Sequence, residues 1–465
     1  MNETIAAIAT PYGNGGIGVI RISGDKAFDI ASNLFSTKKL IPGNCPALES
    51  HKVYHGYIFD LTDKDVIDEV LLISMKGPSS YTAQDVIEIQ AHAGSIVLRT
   101  ILEQILSCGA RLSEPGEFTK RAFLNNRIDL TQAEAVADII NAKSVNALRF
   151  AASQNIGTLK NQINTLREQL IDLLSLIEVN IDFPEDVESF KPSVKEIKLI
   201  DDILEQCREF IKQHDDACFL KDGIRITICG APNVGKSSLM NRLLEQERSI
   251  VTTVPGTTRD PVEEGLNIDG IPFVITDTAG IHQTDDLVEI IGIEKARDHI
   301  SASDLILFMK EPGTLFSNKE FEKVIPVDKQ INVKIIFIIN KIDLAPEDLL
   351  NLPELSEKYH HIPTVRISAL FNKGIKELKQ KIVNTCIADL NLEKSSIIPN
   401  LRHKKALEQA VENLEAVKEG LEQAIEEEML AIDIKNSIDC LGTITGQTAS
   451  LDILDNIFSN FCIGK

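Results

Sequence analysis

Apolar residues recur along two stretches of the chain at alternating steps of three and four, which is the spacing of one face of an α-helix. The first stripe comprises Ile156, Leu159, Ile163, Leu166, Leu170, Leu173 and Ile177. The second comprises Leu407, Ala410, Leu414, Val417, Leu421 and Ala424. Because an amphipathic stripe needs another surface to cover it, we expect both stripes to belong to one helical domain.

Two local signals predict where helices in this region begin and end. Thr131 and Glu134 have the spacing of a capping box, in which the hydroxyl and the carboxylate satisfy free amides of a first helical turn. Pro184 follows the first stripe and is expected to end its helix.

Shorter apolar runs of strand character occupy the remaining regions. In residues 1–120 they are mixed with Gly and Pro, which predicts an α+β domain. These runs are Val19–Ser23, Val70–Ile73 and Val86–Ile89. In residues 224–385 they alternate with helical stretches, which is typical of a mostly parallel sheet covered by helices. Those runs are Ile224–Cys229, Phe273–Thr276, Leu305–Met309, Ile335–Ile339 and Thr364–Ile367.

The order of these segments predicts a multidomain protein in which an α/β domain is inserted into an all-α domain. We expect an α+β N-terminal domain at 1–120, the helical domain at 121–215 and 386–465, and the inserted α/β domain at 216–385. Insertion costs little when the termini of the inserted domain lie close together. Two unrelated helical domains are the alternative.

Composition restricts the classes of protein to consider. The chain has 69 acidic and 48 basic residues and a net charge of −21, which argues against indiscriminate nucleic-acid coating but not against a local basic patch. Apolar runs reach about five residues, whereas a membrane span needs ~20. The N-terminus lacks the cationic cluster of a secretory signal. Eight cysteines without a C-x-x-C pair favour free thiols, so we expect a cytoplasmic protein without a membrane partner.

One glycine-rich motif predicts a phosphate-binding loop. Residues 230–237 match G-x-x-x-x-G-K-[ST] between a strand-like run and a helical one. Backbone amides of such a loop surround phosphate oxygens, Lys236 reaches the β- and γ-phosphates, and the Ser237 hydroxyl binds Mg²⁺. The candidate contacts are Asn233, Val234, Gly235, Lys236, Ser237 and Ser238. This motif alone leaves the base undecided.

Three further motifs follow in the order of a GTPase. Asp277, Thr278, Ala279 and Gly280 form D-x-x-G, in which Asp277 holds the Mg²⁺ shell and the Gly280 amide senses the γ-phosphate. The next motif, N-K-x-D, comprises Asn340, Lys341 and Asp343. Its Asp343 carboxylate accepts two hydrogen bonds from guanine, and adenine cannot offer these donors. Ser368 and Ala369 complete the base site through the Ala369 amide. Each motif alone is compatible with an ordinary loop, but the ordered set predicts a GTP-binding, hydrolysing domain of the Ras-like P-loop class.

The segment between the first two motifs supplies further candidates. Thr258 is the natural second protein ligand of Mg²⁺ in a loop that the γ-phosphate orders. The candidate GTP contacts in this loop are Thr252, Thr253, Val254, Pro255, Gly256, Thr257 and Thr258.

The residue that orients the attacking water is left open by this pattern. Ras-like enzymes have Gln directly after D-x-x-G, whereas this chain has Ile281, which cannot hydrogen-bond. Four acidic residues downstream could replace it, and the residues alone do not choose among them: Asp285, Asp286, Glu289 and Glu294. No arginine finger is identifiable.

Taken together with four other segments, these motifs resemble the MnmE (TrmE) family of bacterial and organellar tRNA-modification GTPases. The segments are 13–24, 115–123, 181–185 and 461–465, the last reading Phe-Cys-Ile-Gly-Lys. The resemblance implies a homodimer that works with the flavoprotein MnmG (GidA). The pair would add an aminomethyl or carboxymethylaminomethyl group to carbon 5 of the wobble uridine of certain tRNAs. It further implies a 5-formyl- or methylene-tetrahydrofolate one-carbon donor, FAD on the partner, and K⁺-stimulated GTP hydrolysis.

The resemblance also implies roles for individual residues. By position, Asn233, Thr252, Val254 and Thr257 would bind K⁺, and Glu289 would position the attacking water. Four residues fall where the family contacts folate: Arg21, Glu88, Arg127 and Lys465. Lys is frequent at the position of Arg127. Cys462 would have a catalytic or ligand-positioning role.

A second class of function fits the GTPase motifs equally well. The chain could be a regulatory GTPase switch in ribosome assembly or signalling, with its other domains as a protein-binding scaffold. Folate binding by residues 1–120 would separate the two, because the switch hypothesis does not predict it. Under the first hypothesis, we expect the partner to supply most of the basic surface that contacts tRNA.

Overall fold

A computed structural model of the 465-residue protein divides into two compact units. The structure describes residues 3–11, 13, 15–42, 44–142, 144–182, 194–247, 263–277, 303–313, 334–345, 362–387, 397–423 and 425–465. The first unit comprises residues 1–137, 154–204 and 406–465, and the second comprises residues 138–153 and 205–405. The four-segment division that the sequence predicts stays a prediction.

The first unit contains a seven-stranded sheet in the order β3-β4-β5-β6-β2-β1-β7. Its strands are β1 (Ile5–Ile8), β2 (Ile17–Ser23), β3 (Phe35–Ser36), β4 (Lys52–Phe59), β5 (Val66–Met75), β6 (Val86–His92) and β7 (Arg111–Leu112). Neighbours are antiparallel except β1 and β7, which are parallel. Two helices, α1 (Ala27–Leu34) and α2 (Ser95–Ser107), join the same hydrophobic core as the sheet. This confirms the α+β character predicted for the region.

Besides α1 and α2, the described residues of the two units form further helices. They are α3 (Glu117–Leu124), α4 (Leu130–Asn141), α5 (Val145–Asn155), α6 (Thr158–Asp182), α7 (Val194–Asp222), α8 (Lys236–Glu247), α9 (Ile375–Ile387), α10 (Leu401–Gln423), α11 (Glu427–Thr445) and α12 (Leu451–Ser459). Within the first unit, α6 packs along α11 and α3 packs on α12.

The predicted stripe on α6 is confirmed except at its first member. Six stripe residues, from Leu159 to Ile177, are at most 1% exposed. Ile156, however, is 80% exposed and lies before the helix. Gly157 separates it from α6 with a left-handed φ of +92°, so the periodicity does not run through this point. The stripe on α10 is buried from Leu407 to Leu421, and Ala424 lies outside the described residues, as does Pro184.

The capping box exists but lies two residues earlier than predicted. Helix α4 begins at Leu130, so Thr131 is already inside its first turn. The Gln132 amide donates to Asp129 Oδ1 at 2.9 Å, and the Asp129 amide donates to Gln132 Oε1 at 3.1 Å. The Thr131 hydroxyl also donates to Asp129 Oδ1, at 2.7 Å. The assignment of Thr131 and Glu134 was therefore wrong, because Asp129 and Gln132 offer the same reciprocal bonds and Thr131 is buried.

The second unit contains a six-stranded sheet in the order β13-β12-β11-β8-β10-β9. Its strands are β8 (Ile224–Gly230), β9 (Glu263–Ile268), β10 (Ile271–Asp277), β11 (Leu305–Lys310), β12 (Lys334–Ile339) and β13 (Thr364–Arg366). All neighbours are parallel except β9, which pairs with β10 in antiparallel fashion. The five predicted runs are confirmed as strands of a mostly parallel sheet, and β9 is an addition. In the part of the chain that the structure describes, no helix is both long and apolar enough to pass through a bilayer.

Truncating the α6 stripe tests its place in the core. We expect Leu170→Ala to lower the free energy of unfolding by about 2–5 kcal/mol, because this side chain is fully buried and its loss leaves a cavity. The matched control is Leu176→Ala on the same helix, which is 54% exposed and should cost about 0.5 kcal/mol or less. Urea unfolding followed by circular dichroism measures both. Equal losses would contradict the assignment of the buried face.

Candidate functional site

The phosphate-loop motif lies between the end of β8 and the start of α8. Asn233 and Gly235 both have left-handed φ angles, +64° and +98°. A Cβ added to Gly235 would overlap Asn340 Nδ2, so a larger residue does not fit there. The Lys236 ammonium donates to the carbonyl oxygens of Gly230, at 3.0 Å, and Ala231, at 2.9 Å. A tight turn followed directly by a helix N-terminus suits the binding of phosphate.

A single asparagine connects three of the predicted motifs. Asn340, which is buried, donates from Nδ2 to the carbonyl of Val234 at 2.8 Å. Its Oδ1 accepts from the amide of Ala369 at 3.0 Å. Arg242 of α8 adds two bonds of 3.2 Å to the carbonyls of Ala369 and Leu370. The phosphate loop and the two base-recognition motifs are therefore held together by side chains.

The carboxylate predicted to recognise guanine is oriented by a second residue. Ser368 Oγ donates to Asp343 Oδ1 at 2.5 Å. The Ser368 hydroxyl also accepts from the amide of Phe371, and Ser368 and Lys373 exchange backbone bonds across a short bridge. The neighbouring Lys341 has a left-handed φ of +64° and pairs with Glu311. These contacts fix the loop that presents Asp343.

Asp277, the first residue of D-x-x-G, reaches the same edge of the sheet through strand pairing. Asp277 ends β10 and lies opposite Ile228 of β8, two residues before Gly230. Parallel strands end at one edge, so the backbone of Asp277 emerges beside the phosphate loop. The Asp277 side chain and eleven further candidates lie outside the described residues: Thr252, Thr253, Val254, Pro255, Gly256, Thr257, Thr258, Thr278, Ala279, Gly280 and Glu289.

A second cluster of predicted residues forms around Arg21 in the first unit. Arg21 of β2 lies opposite Glu88 of β6, and its Nε donates to Glu88 Oε1 at 2.8 Å. Both side chains are largely buried, at 13% and 19% exposure. The guanidinium carbon lies 4.9 Å from the ring centre of Tyr81 and 5.6 Å from that of Phe118. Two aromatic rings and one carboxylate thus fix this cation.

The 462–465 segment (Cys462, Ile463, Gly464 and Lys465) packs on the same cluster. Arg21 donates from Nη1 to the carbonyl of Gly464 at 3.2 Å, and the Gly116 amide donates to the carbonyl of Cys462 at 3.4 Å. Burial lowers the pKa of the Lys465 ammonium, and the positive charge of Arg21 lowers it further. Cys462 itself is exposed. The structure therefore brings together three of the four predicted folate contacts. Arg21 and Glu88 belong to the sheet, and Lys465 belongs to the segment that packs on them.

Arg127 joins the cluster through a residue that sequence reasoning missed. Its guanidinium carbon lies 5.2 Å from the ring centre of Tyr81, the same ring that Arg21 covers. The Tyr81 hydroxyl forms a hydrogen bond of 2.8 Å with Thr119 Oγ1. No spacing rule marks Tyr81 in the sequence, because its partners come from β2 and α3, far along the chain. Its place in the loop that leads to Glu88 was the only signal available.

The donors in the nucleotide site suit a hard cation shared with phosphate. Ser237 stands in the first turn of α8 and offers a hydroxyl oxygen beside Lys236, which matches the oxygen ligands that Mg²⁺ prefers. Over the described ranges, no group of three or more His, Cys, Asp or Glu side chains is arranged to hold a metal ion.

Comparisons with known proteins cover the whole chain. The model of the MnmE helical domain matches residues 130–462, and that of the GTP-binding protein TrmE N-terminus matches residues 4–127. The chain is 41% identical over 467 residues to the tRNA modification GTPase MnmE of Carboxydothermus hydrogenoformans, with both chains fully covered. It is 42% identical to the protein of the same name from Acetivibrio thermocellus, covering all of this chain and 99% of that one. Among solved structures, Era of Aquifex aeolicus bound to GDP·AlF4− is 29% identical, with 41% of this chain and 66% of that chain covered and a TM-score of 0.29.

Gly464→Ala tests the packing of the 462–465 segment. Gly464 has a φ of +90°, and a Cβ there would lie 2.6 Å from the carbonyl oxygen of Ile8. We expect the substitution to displace the segment, so that backbone amides of residues 461–465 exchange with deuterium faster, as mass spectrometry would show. The matched control is Gly16→Ala, where nothing lies within 4 Å of an added Cβ. Unchanged exchange in Gly464→Ala would contradict the observed packing.

Proposed function

The chain belongs to the MnmE (TrmE) family, and we propose that it is a GTPase that acts in the modification of tRNA. The observation that carries the proposal is the meeting of the phosphate loop with both guanine motifs at Asn340. The match to tRNA modification GTPases over the full length of the chain supports the tRNA substrate. The protein would act on this tRNA substrate in the cytoplasm.

Guanine would be selected by Asp343. Its carboxylate can accept hydrogen bonds from the ring and exocyclic nitrogens of guanine, and adenine would leave it without these donors. Ser368 holds the carboxylate through Oδ1. The Ala369 amide already donates to Asn340, so a guanine oxygen would share this donor. The hydrogen bonds within the loops thus prepare the base site before the nucleotide arrives.

The phosphates would be bound by the loop before α8. Lys236 donates to two carbonyls of its own loop, and phosphate oxygens would replace these acceptors when GTP binds. Ser237 and Thr258 would supply the protein ligands of Mg²⁺, with Asp277 in the surrounding shell. The ion, when bound, neutralises charge on the phosphates. Asn233, Val234, Gly235 and Ser238 would complete the contacts together with residues 252–258 and 277–280.

Hydrolysis would depend on a potassium ion and a glutamate. Asn233, at its left-handed position in the loop, would bind K⁺ with Thr252, Val254 and Thr257. A cation beside the phosphates can offset the charge that develops in the transition state, as an arginine finger does. Glu289 would position the attacking water, a role for which Ile281 has no hydrogen-bonding group.

The cluster around Arg21 would bind the one-carbon donor. Arg21 lies over the rings of Tyr81 and Phe118 and pairs with Glu88, and Arg127 lies over Tyr81. Cations beside aromatic rings suit a flat ligand with carboxylates such as 5-formyl- or methylene-tetrahydrofolate, which Arg21, Glu88, Arg127 and Lys465 would contact. Cys462 is exposed in the segment that packs on this cluster, so its thiol would act on the ligand or position it.

The remaining chemistry would be divided between protein chains. We infer a homodimer that works with the flavoprotein MnmG (GidA), which would carry FAD. Together they would add an aminomethyl or carboxymethylaminomethyl group to carbon 5 of the wobble uridine. With a net charge of −21, this chain would leave most phosphate contacts with tRNA to its partner. The predicted domain at 1–120 would provide folate binding and dimerisation. The predicted domain at 216–385 would be the GTPase, and the helical scaffold would consist of 121–215 with 386–465.

Removing the gene and analysing digested tRNA by nucleoside mass spectrometry tests this function. We expect the modified wobble uridine to disappear and to return with the wild-type chain. It should not return with Asp277→Ala, which loses Mg²⁺ coordination, or with Cys462→Ser, which loses the exposed thiol. The matched control is Cys108→Ser, a half-buried cysteine at the end of α2, which should restore it. Unchanged nucleosides after deletion would favour a regulatory switch instead.

Asp343→Asn tests how the base is chosen. An amide in place of the carboxylate loses one acceptor for guanine but can donate to the additional oxygen of xanthine. We expect GTP affinity to fall by at least ~100-fold and xanthosine triphosphate affinity to rise, measured by competition with a fluorescent guanine nucleotide. Asp269→Asn, in the turn between β9 and β10, serves as control. Undiminished GTP binding by Asp343→Asn would exclude this assignment.

A further inference from the structure

One segment of the second unit is basic, although the chain as a whole is acidic. Residues 362–387 contain a single acidic residue, Glu377, whereas the whole chain has 69 acidic and 48 basic residues. Four exposed cations of this segment form what we call the basic patch: Arg366, Lys373, Lys376 and Lys381. The patch is a local excess of positive charge on a protein with a net charge of −21.

The fold brings the basic patch together at the edge of the second sheet. Arg366 lies on β13, the edge strand, and is exposed, whereas its neighbour Val365 is buried. Ser368 and Lys373 exchange backbone hydrogen bonds, so the chain turns back after β13. A Cβ at Gly374 would overlap the carbonyl oxygen of Arg366, which shows how closely the start of α9 approaches this strand.

Helix α9 directs its apolar side chains inward and two lysines outward. Ile375, Leu378 and Ile382 belong to the hydrophobic core of the second unit. Lys376 and Lys381 are exposed and lie five residues apart, which corresponds to about 7.5 Å along the helix axis. Cations that are spread out in this way suit an extended polyanion better than one small anion.

The four cations of the basic patch are not neutralised by the protein. None of them forms an ion pair with a residue in the part of the chain that the structure describes. Two other lysines of the same unit do have acidic partners, since Lys341 pairs with Glu311 and Lys404 pairs with Asp215. Like charges that lie close together repel one another, and a bound polyanion relieves this repulsion.

An exposed aromatic ring lies beside the basic patch. Phe371, two residues before Lys373, is 59% exposed. Its backbone is held in place, because its amide donates to Ser368 Oγ at 3.3 Å and Arg242 donates to the neighbouring Leu370 carbonyl at 3.2 Å. Exposed rings next to cations are typical of surfaces that bind RNA, since unpaired bases stack on them. An acidic peptide would make no use of such a ring in this way.

Resting on the tRNA substrate of the proposed function, we propose that the basic patch binds the phosphate backbone of tRNA and that Phe371 stacks on an unpaired base. The chain then makes a few phosphate contacts of its own, in addition to those of its partner. Because phosphates carry no sequence information, the patch orients the tRNA and does not select among tRNAs.

Titration of a fluorescently labelled tRNA with the full-length protein at several salt concentrations tests this surface. We expect Lys376→Gln/Lys381→Gln to weaken binding about tenfold at low salt. The slope of log affinity against log salt should fall by about 1.5, because two phosphate contacts and their released counterions are lost. Phe371→Leu should weaken binding about fivefold or more and leave the slope unchanged, since stacking releases no counterions.

The matched control is Lys38→Gln/Lys39→Gln, which removes two exposed lysines after β3 in the first unit. It changes the net charge equally and should keep the wild-type affinity and slope. Both double variants should bind a fluorescent guanine nucleotide as the wild type does, a result that misfolding would not give. Polyglutamate should displace the labelled tRNA far less effectively than unlabelled tRNA of equal charge.

The outcomes separate this surface from the proposed function. Equal weakening in the two double variants, unchanged binding in Lys376→Gln/Lys381→Gln, or absence of tRNA binding by the wild type would overturn the inference alone. Equal displacement by polyglutamate would instead assign the patch to an acidic protein. Persistence of the modified wobble uridine after deletion of the gene would overturn the tRNA substrate and the inference with it.

Discussion

The nucleotide site depends on the parallel pairing of β8 with β10 and β11. Parallel strands end at one edge of a sheet, so motifs that are far apart in the sequence emerge side by side. Side chains then connect what the backbone has brought together. Asn340 hydrogen-bonds to both the phosphate loop and the Ala369 loop, and Arg242 hydrogen-bonds to the latter from α8. Because Asn340 is buried, loss of either bond would leave an unsatisfied polar group.

A different principle organises the cluster in the first unit. There, Arg21 forms an ion pair, a bond to a backbone carbonyl and contacts with two aromatic rings. A largely buried guanidinium requires such a set of partners, since its desolvation would otherwise be costly. The Gly464 carbonyl is one of those partners, which joins the last residues of the chain to a strand near its beginning. This connection explains how segments far apart in the sequence come together in one cluster.

The sequence predicted the features that repeat or follow a strict motif. The α6 stripe and the five parallel strands have long periodic or apolar signals, and the structure confirms them. Strand β9 was missed because Glu-Glu-Gly-Leu-Asn-Ile lacks such a signal and is stabilised by its neighbour β10. Ile156 fitted the helical spacing, but the left-handed Gly157 breaks the helix there. The capping box was assigned two residues too late, because two pairs of residues have the required spacing. Thr131 with Glu134 is one pair and Asp129 with Gln132 is the other, and side-chain burial decides between them.

Residues defined by tertiary contacts were the least predictable part of the site. Arg21, Glu88 and Lys465 were identified through family resemblance, whereas the physical reason for their association is visible only in three dimensions. Tyr81 has no motif, yet two arginines and Thr119 converge on it. The sequence therefore indicated which chemical groups were present, and the fold determines which of them lie together.

We propose that this one chain combines a GTP site with a site for a one-carbon folate in order to modify tRNA. The most direct measurement traces the carbon. The full-length protein would be incubated with its flavoprotein partner, tRNA, GTP, an amine source and methylene-tetrahydrofolate labelled with ¹³C at the transferred carbon. We expect a labelled modified uridine that forms only when GTP can be hydrolysed. A modified uridine without the label, or one formed equally well without GTP, would contradict it.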